Sequence, residues 1–310
     1  MRVLVVGAAG AIGSRLVPQL AQAGHEVIGT SRSPDRGKWL SAQGAHPVLL
    51  DVLDPQAVRK TVRASKPDAI VYQATALAGV RVMRSLDKAF AGTNRLRTVG
   101  IDNVIAAGRE VGVERLVAQS FAPYRYAREG SWVKNEDDRL EPTPPASASR
   151  SFAAMNHLED AVTAVGGLAL RYGGFYGPGD ETLVRPVRKR QTPLIGDGAG
   201  VMSFVHLEDA ARATVLALDY DGPAILNIVD DDPAPMREWL PALARAVGAK
   251  PPRHFPTFVA RAIAGPGLVM ITQSRGSSND RAKRQLGWTP LFATWKEGFR
   301  AAYGERTVSV

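Results

Sequence analysis

Cysteine is absent from this 310-residue chain. Its absence excludes a disulfide framework, a thiol nucleophile, Cys-ligated zinc and an iron–sulfur cluster. Lysine is scarce, with nine Lys against 30 Arg. Long apolar runs are missing too. The most apolar late stretch, residues 255–272, contains Arg261 and is broken by Gly265-Pro266-Gly267. No run reaches the roughly 18 apolar residues that a membrane helix needs. The N-terminus enters a strand-like run at once, without signal-peptide architecture. A soluble, cytoplasmic protein with no membrane contact is expected.

Other chemistries are also missing. The five histidines (25, 46, 157, 206 and 254) are scattered and form no H-x-x-x-H pair, so no metal site is expected. No G-x-S-x-G nucleophile elbow occurs. Asp230-Asp231-Asp232 is too compact, and too close to Pro233, for a calcium loop. The net charge is +9, but the densest basic run, Arg188-Lys189-Arg190, is only three residues long. No nucleic-acid partner is expected on that basis. The excess lies in the first half: residues 1–155 carry 21 cations and 14 anions, residues 156–310 carry 18 and 16.

What is present is regular alternation. Residues 3–6, 27–30, 47–50, 69–72 and 116–119 are short apolar runs bounded by Gly, Pro or polar residues, and read as buried strands. Helical patterns fill residues 11–23, 55–64, 82–90 and 97–111. Gly24 and Gly112 stand where helix C-caps belong. Residues 151–164 continue as a helix and 168–171 as a strand. Such alternation predicts an α/β fold: a Rossmann-type, doubly wound parallel sheet of about seven strands. The later texture is looser, with loops at 173–180, 230–235 and 250–256. Helices are expected at 207–218, 236–247 and 281–286. The expected domains are residues 1–171, plus about 196–232, for the sheet unit. A small C-terminal substrate-binding subdomain takes about 172–195 and 233–310.

The strongest motif is Gly7-Ala8-Ala9-Gly10-Ala11-Ile12-Gly13, between the first strand and the first helix. Gly7 permits a tight turn, Gly10 lets backbone approach a pyrophosphate, and Gly13 lets the helix pack close to the sheet. The helix N-terminus then offers N–H groups and a partial positive charge to phosphates. Dinucleotide binding follows. The second strand ends in Ser31 and Arg32 with no carboxylate for a ribose 2′-hydroxyl, which favours NADP over NAD. The plain alternative is an ordinary surface Arg. Asp51-Val52 after the third strand suits an adenine edge. Asp54, before Pro55, suits a helix cap better. Ala74-Thr75-Ala76 supplies small residues where the cofactor ribose passes. Gln119 and Ser120 end the fifth strand at the ligand-binding edge.

Together these residues resemble the extended short-chain dehydrogenases/reductases, in the NAD-dependent epimerase/dehydratase group. Residues 170–179 (Leu-Arg-Tyr-Gly-Gly-Phe-Tyr-Gly-Pro-Gly), 203–210 and 286–290 carry the same resemblance. It implies NAD(P) binding, with Tyr172, Gly173 and Phe175 beside the cofactor. The family's catalytic Tyr-x-x-x-Lys pair precedes a Glu by four residues. Anchored on Glu159, the Tyr position is Ser151 and the Lys position Met155. Neither matches, so the chain resembles an atypical branch.

Ser120 and Tyr124 are then the expected catalytic residues, Ser120 holding the substrate oxygen and Tyr124 or water supplying the proton. Tyr126, Tyr176 and His206 are expected substrate contacts, although each also suits a structural role. His157 lies on the altered helix, and Arg97 stands where the family often has Asn. Phe255, Phe258, Val259 and Ile263 suggest a cleft for an uncharged or aromatic small molecule. The expected function is hydride transfer between a nicotinamide cofactor and a carbonyl or alcohol. Alternatives are an epimerase or dehydratase without net redox change, and a non-catalytic NADP(H) sensor. A homodimer is left open.

Overall fold

The computed structural model describes residues 1–77 and 85–304. Seven strands form one parallel sheet: β1 (Arg2–Val6), β2 (Glu26–Ser31), β3 (Ala45–Leu49), β4 (Ala69–Tyr72), β5 (Arg115–Phe121), β6 (Leu168–Tyr172) and β7 (Ala224–Ile228). Their spatial order is β7-β6-β5-β4-β1-β2-β3. Leu4 of β1 pairs with Ile28 on one side and with Ile70 on the other. The chain reverses direction across the sheet between β1 and β4. Open α/β sheets bind ligands at such a switch, outside the carboxyl ends of the strands.

Strand side chains alternate between the two faces, and both faces are buried. Val3, Val5, Val27, Val71 and Val117 face one core. It is filled by Leu16, Val17 and Leu20 of α1 (Gly13–Gln22), Leu40 of α2 (Arg36–Ala42) and Ala210 of the helix Leu207–Ala217. Leu4, Ile28, Ile70, Tyr72, Leu116 and Ala118 face the other core. There they meet Val58 and Val62 of α3 (Pro55–Ser65), Ile101 and Val104 of the helix Ile101–Val111, and Leu158 and Val162 of the helix Ser149–Thr163. This double cover explains the continuous apolar strands of the sequence.

A further apolar cluster joins Tyr176, Val184, Phe204, Met236, Trp239, Leu240, Trp295 and Phe299. Two short parallel strands, Gly174–Tyr176 and Phe204–His206, cross it. Ala282 and Trp288 instead pack into the first sheet core.

Some local expectations shift. Helix Arg36–Ala42 lacks a sequence signal because only Leu40 of it is buried. The Gly-rich stretch after β6 contains the short strand Gly174–Tyr176 rather than loop alone. Residues 82–84 of the expected 82–90 helix lie outside the described residues, while Leu86–Ala89 is helical and capped by Ser85. The helix expected from residue 97 starts earlier. Ala91–Arg95 leads into one π-helical turn, Leu96–Gly100, which continues as Ile101–Val111. Among the described residues, no helix is long and apolar enough to cross a membrane.

Candidate active site

The Gly7–Gly13 loop leaves β1 at the switch point. Gly7 has φ +88°, and a Cβ there would stand 2.9 Å from the Gln73 backbone. A Cβ on Gly13 would strike the Ala8 carbonyl at 2.5 Å, so glycine lets α1 sit directly on the loop. The loop is tied to β2: Gly7 N donates to Thr30 Oγ1 at 3.3 Å, and Ala8 N donates to the Thr30 carbonyl at 3.1 Å. Ile12 at the N-cap of α1 supplies no side-chain cap, and the first turn carries no acid. Ser14 N, Arg15 N and Leu16 N donate to the Gly10 and Ile12 carbonyls, which leaves the N–H groups of Ala11, Ile12 and Gly13 without an acceptor among the described residues. That fits a pyrophosphate. Arg15 of this helix donates to the Pro178 carbonyl, which ties the Gly177-Pro178-Gly179 turn to the same place.

Ser31 accepts from Ser33 N at 3.1 Å, and Arg32 is exposed at the end of β2. Asp51 is exposed and accepts from Leu53 N at 3.0 Å. Asp54 caps α3 through Gln56 N and Ala57 N, as its position before Pro55 suggested. Val52 is buried. Ala74, Thr75 and Ala76 are half-buried after β4, and Ala76 N donates to Thr93 Oγ1 at 3.0 Å. These residues follow the carboxyl ends of β1 to β4.

Past β5 the geometry departs from expectation. Ser120 is fully buried and its Oγ donates to Glu159 Oε1 at 2.5 Å. Glu159 also accepts from Arg125 Nη1 and Nη2 at 3.1 and 2.9 Å, and from Arg171 Nε and Nη2 at 2.9 and 2.8 Å. Burial opposes the Glu159 charge, but the two guanidiniums outweigh it and hold the carboxyl down at about 2. The Ser120 hydroxyl is therefore committed to a buried ion cluster rather than free for a substrate oxygen. Phe121, next in sequence, is the half-buried side chain at the strand end.

The expected substrate contacts of Tyr126, Tyr176 and His206 meet the same difficulty. Tyr126, 2% exposed, donates to Asn227 Oδ1 at 2.9 Å and accepts from Arg171 Nη1. Tyr176 is fully buried, edge-on to Phe299 and His206. His206 Nδ1 accepts from Glu208 N and caps the helix Leu207–Ala217. Burial, then the Arg15 charge, lowers the His206 ring to about 4 and keeps it neutral. Tight packing, not an open cleft, surrounds all three. Tyr172 is also interior: its hydroxyl lies 2.6 Å from Thr214 Oγ1 and 3.4 Å from Gln73 Nε2. Gln119 is 8% exposed, and Gly173 packs too closely on Ser203 and Phe204 to carry a Cβ. Phe175 is half-buried with its ring centroid 5.5 Å from that of Tyr172.

Tyr124 stands apart. It is half-buried, holds φ +67°, and burial raises its hydroxyl ionisation. It packs against the buried cluster of Ala148, Phe152, Met155 and Met270, as Phe121 and Leu86 also do. Ser151, at the family's Tyr position, is fully buried. Its Oγ donates to Asp87 Oδ1 at 2.7 Å and accepts from Asn94 Nδ2 at 3.0 Å. Met155, at the Lys position, is 3% exposed. His157 points elsewhere, 2.8 Å from Asp102. Phe121, Phe152 and Arg125 carry no functional signal in the sequence. Arg125 is fully buried, and only the fold, not its neighbours in sequence, reveals its carboxylate. Phe255 and Val259 are half-buried and Phe258 is exposed, whereas the side chain of Ile263 lies outside the described residues. Surface hollows lined by Arg115, Gly167 and Tyr220, and by Met1, Lys66 and Asp68, open at the amino ends of the strands, away from this site.

Comparison with known proteins agrees with the fold. The model of the NAD dependent epimerase/dehydratase family matches residues 3–228. The 3-diazoavenalumate denitrifying reductase of a Streptomyces species is 40% identical over 309 residues, covering 96% of this chain and 99% of that protein. The 2-alkyl-3-oxoalkanoate reductase of Stenotrophomonas maltophilia is 29% identical, covering 80% and 76%. The crystal structure of Thermus thermophilus UDP-glucose 4-epimerase with NAD superposes with a TM-score of 0.73 at 26% identity, over 98% of both chains. The chain belongs to the NAD dependent epimerase/dehydratase family.

Proposed function

We propose that this chain is an atypical member of its family: an NAD(P)H-dependent reductase of a small, largely apolar or aromatic compound. The observation that carries this reading is the apolar wall of Phe121, Tyr124, Phe152, Met155 and Met270 where the family's Tyr and Lys are expected. Epimerisation by transient oxidation needs a base that removes a hydroxyl proton and an acid that returns it. Ser151 is held by Asp87 and Asn94, and Met155 carries no charge. A reductase needs less, because the cofactor delivers the hydride and water can deliver the proton.

The cofactor would lie along the carboxyl edge of the sheet. Gly10, Ala11, Ile12 and Gly13 would take its pyrophosphate. Ser31 and Arg32 would take a 2′-phosphate, which is why NADP is preferred to NAD. Asp51 and Val52 would meet the adenine, and Ala74, Thr75 and Ala76 the ribose. Gln119, Tyr172, Gly173 and Phe175 would shape the nicotinamide end. When bound, NADPH supplies hydride. Residues 1–171 and about 196–232 would form the cofactor unit, and about 172–195 and 233–310 the substrate-binding part. Ser120 acts here as a positioning residue through Glu159. Tyr124 is the one tyrosine left to touch substrate.

The relative's name denotes a diazo substrate and loss of nitrogen. The same chemistry suits this site. Hydride added to the terminal nitrogen of an aryl diazonium gives an aryldiazene. That species loses N2 and leaves a C–H bond, so no oxyanion needs protonation. A carbonyl would need a proton from Tyr124 or water. The test is a panel of aryl diazonium salts and aromatic aldehydes, with NADPH consumption followed by absorbance, and of UDP-glucose, with formation of UDP-galactose followed by chromatography. Turnover of an aromatic electrophile and none of UDP-glucose is expected. UDP-glucose epimerisation without aromatic turnover would overturn the proposal.

A further inference from the structure

Three consecutive aspartates, 230–232, follow β7 and lead the chain into its C-terminal part. Two of them are paired. Asp231 Oδ1 accepts from Lys283 Nζ at 2.7 Å and from Asn279 Nδ2 at 2.6 Å, and Asp232 Oδ2 accepts from Lys296 Nζ at 2.9 Å. Asp230 differs. It is 2% exposed, its Oδ1 accepts from Asp232 N at 3.4 Å, and its Oδ2 is buried without a hydrogen-bond partner. A buried carboxylate without a cation is costly, and such a group escapes the cost by keeping its proton.

The groups around it offer no counter-charge. Asp230 N donates at 2.7 Å to the carbonyl of Phe204, on the short strand that ends in His206, and the His206 ring is neutral. The strand paired with it brings Tyr176, whose hydroxyl is also buried without a partner and packs against Gly298. Asp230, Asp209, Glu297 and Tyr303 all act on that hydroxyl. Asp209 is better provided than Asp230, because Leu291 N and Phe292 N donate to it at 2.6 and 3.1 Å. Lys283, Lys296 and Arg212 lie against Asp231, Asp232 and Asp209, and Arg15 is turned to Glu208 and the Pro178 carbonyl. Burial, then the charges of Asp232 and Asp231, outweighs the Asp232 N–H and holds the Asp230 carboxyl well above the ordinary carboxylate range.

Asp230 stands where the aromatic core of the C-terminal part meets the sheet. The Phe204 ring lies 5.3 Å from that of Trp239 and 5.4 Å from that of Phe299. Tyr176 leads into Gly177, whose N donates to the Tyr303 hydroxyl at 2.9 Å, while Arg15 of α1 donates to the Pro178 carbonyl. One place thus ties this core both to β7 and to the turn beside the glycine loop. The core has little reserve, because it also buries the Tyr176 hydroxyl, Trp239 Nε1 and Trp295 Nε1 without partners.

We propose that Asp230 is a pH-operated latch: its protonated carboxyl lets the aromatic core close on β7, and rising pH loosens the C-terminal part by drawing that proton into solvent, while the sheet stays folded. The sign follows from linkage. An opened aspartate ionises at its ordinary 3.8, and the closed one keeps its proton to higher pH. Between those values the closed form binds more protons, so this contribution to stability is full below 3.8 and is lost as pH rises. His206 acts in the opposite sense and at lower pH. Burial pushes the Tyr176 and Tyr303 hydroxyls up, away from the neutral range. The latch needs no cofactor, so its fate is separate from that of the reductase reading.

The test is hydrogen exchange of the full chain, read by mass spectrometry and divided at each pH by the intrinsic rate. Wild type is compared with Asp230→Asn, which keeps the shape of a neutral carboxyl and cannot ionise. His206 contributes equally to both proteins and cancels. From about pH 5 to pH 8, protection of residues 201–206 and 236–246 in Asp230→Asn should gain on wild type by roughly 10-fold or more, and β1 and β4 should show no such gain. Asp209→Asn should follow wild type. A constant ratio between wild type and Asp230→Asn overturns the proposal, and so does an equal gain in β1 and β4. If Asp230→Asn does not fold, wild type decides by infrared spectroscopy. At about pH 5, where an ordinary aspartate is ionised, it should show the band of a protonated carboxyl, and Asp209→Asn and Glu136→Gln should keep that band. Its absence from wild type, or its loss in either variant, overturns the proposal.

Discussion

Ser120 Oγ lies 2.5 Å from Glu159 Oε1, joining the end of β5 to the helix before β6 across 39 residues of sequence. The same carboxylate accepts from Arg125 and Arg171, so one acid fixes two strand ends and a loop. Glu159→Gln leaves two buried guanidiniums without a counter-charge. It should cost about 3–5 kcal/mol. Ser120→Ala should cost less, about 1–3 kcal/mol, because one buried acceptor site is left open. Urea unfolding of both variants checks the order, and a larger loss for Ser120→Ala would contradict it.

Acid should weaken the fold through His206. Its native ring titrates at about 4, below the ordinary 6.5. The unfolded chain therefore binds the proton first, and stability falls as pH drops from 6.5 toward 4. Protonation also removes the Nδ1 acceptor that caps Glu208 N. His206→Asn keeps an N-cap acceptor without this titration. Its urea stability should fall less steeply across that pH window. Parallel curves for the two proteins would show that His206 does not contribute.

Gly13 is the residue on which α1 rests. Gly13→Ala would place a methyl group 2.5 Å from the Ala8 carbonyl oxygen. The helix must lift from the loop, at about 1–3 kcal/mol. Its N–H groups then leave the phosphate position, and NADPH affinity should fall at least about tenfold. A variant that melts lower but binds NADPH as wild type does would separate the helix from the cofactor.

Restoring the family's lysine should fail. Met155→Lys buries an ammonium in the apolar cluster of Ala148, Phe152 and Met270, and several kcal/mol of stability should be lost. Chemical denaturation measures this. A stable Met155→Lys protein would mean that the wall opens to water more readily than its 3% exposure indicates.

The sheet and the Gly7–Gly13 loop are legible in the sequence because their signals are local: buried strands read as apolar runs, and the loop glycines sit between strand and helix. The interior fate of Ser120, Tyr126, Tyr176 and His206 is not legible. Each is decided by partners far away in sequence, Glu159 for Ser120, Asn227 for Tyr126, Phe299 for Tyr176. A polar residue in a family motif reads the same whether its hydroxyl faces a cleft or a buried acid.

Titration of the purified protein with NADPH and NADH, repeated with Arg32→Ala, bears most directly on the cofactor-dependent reading. Micromolar NADPH binding is expected, weaker NADH binding, and a loss on Arg32→Ala that falls mainly on NADPH, by roughly 10-fold or more. Affinity no better than millimolar for both cofactors would contradict the reading, and an equal loss for both on Arg32→Ala would contradict the NADP preference.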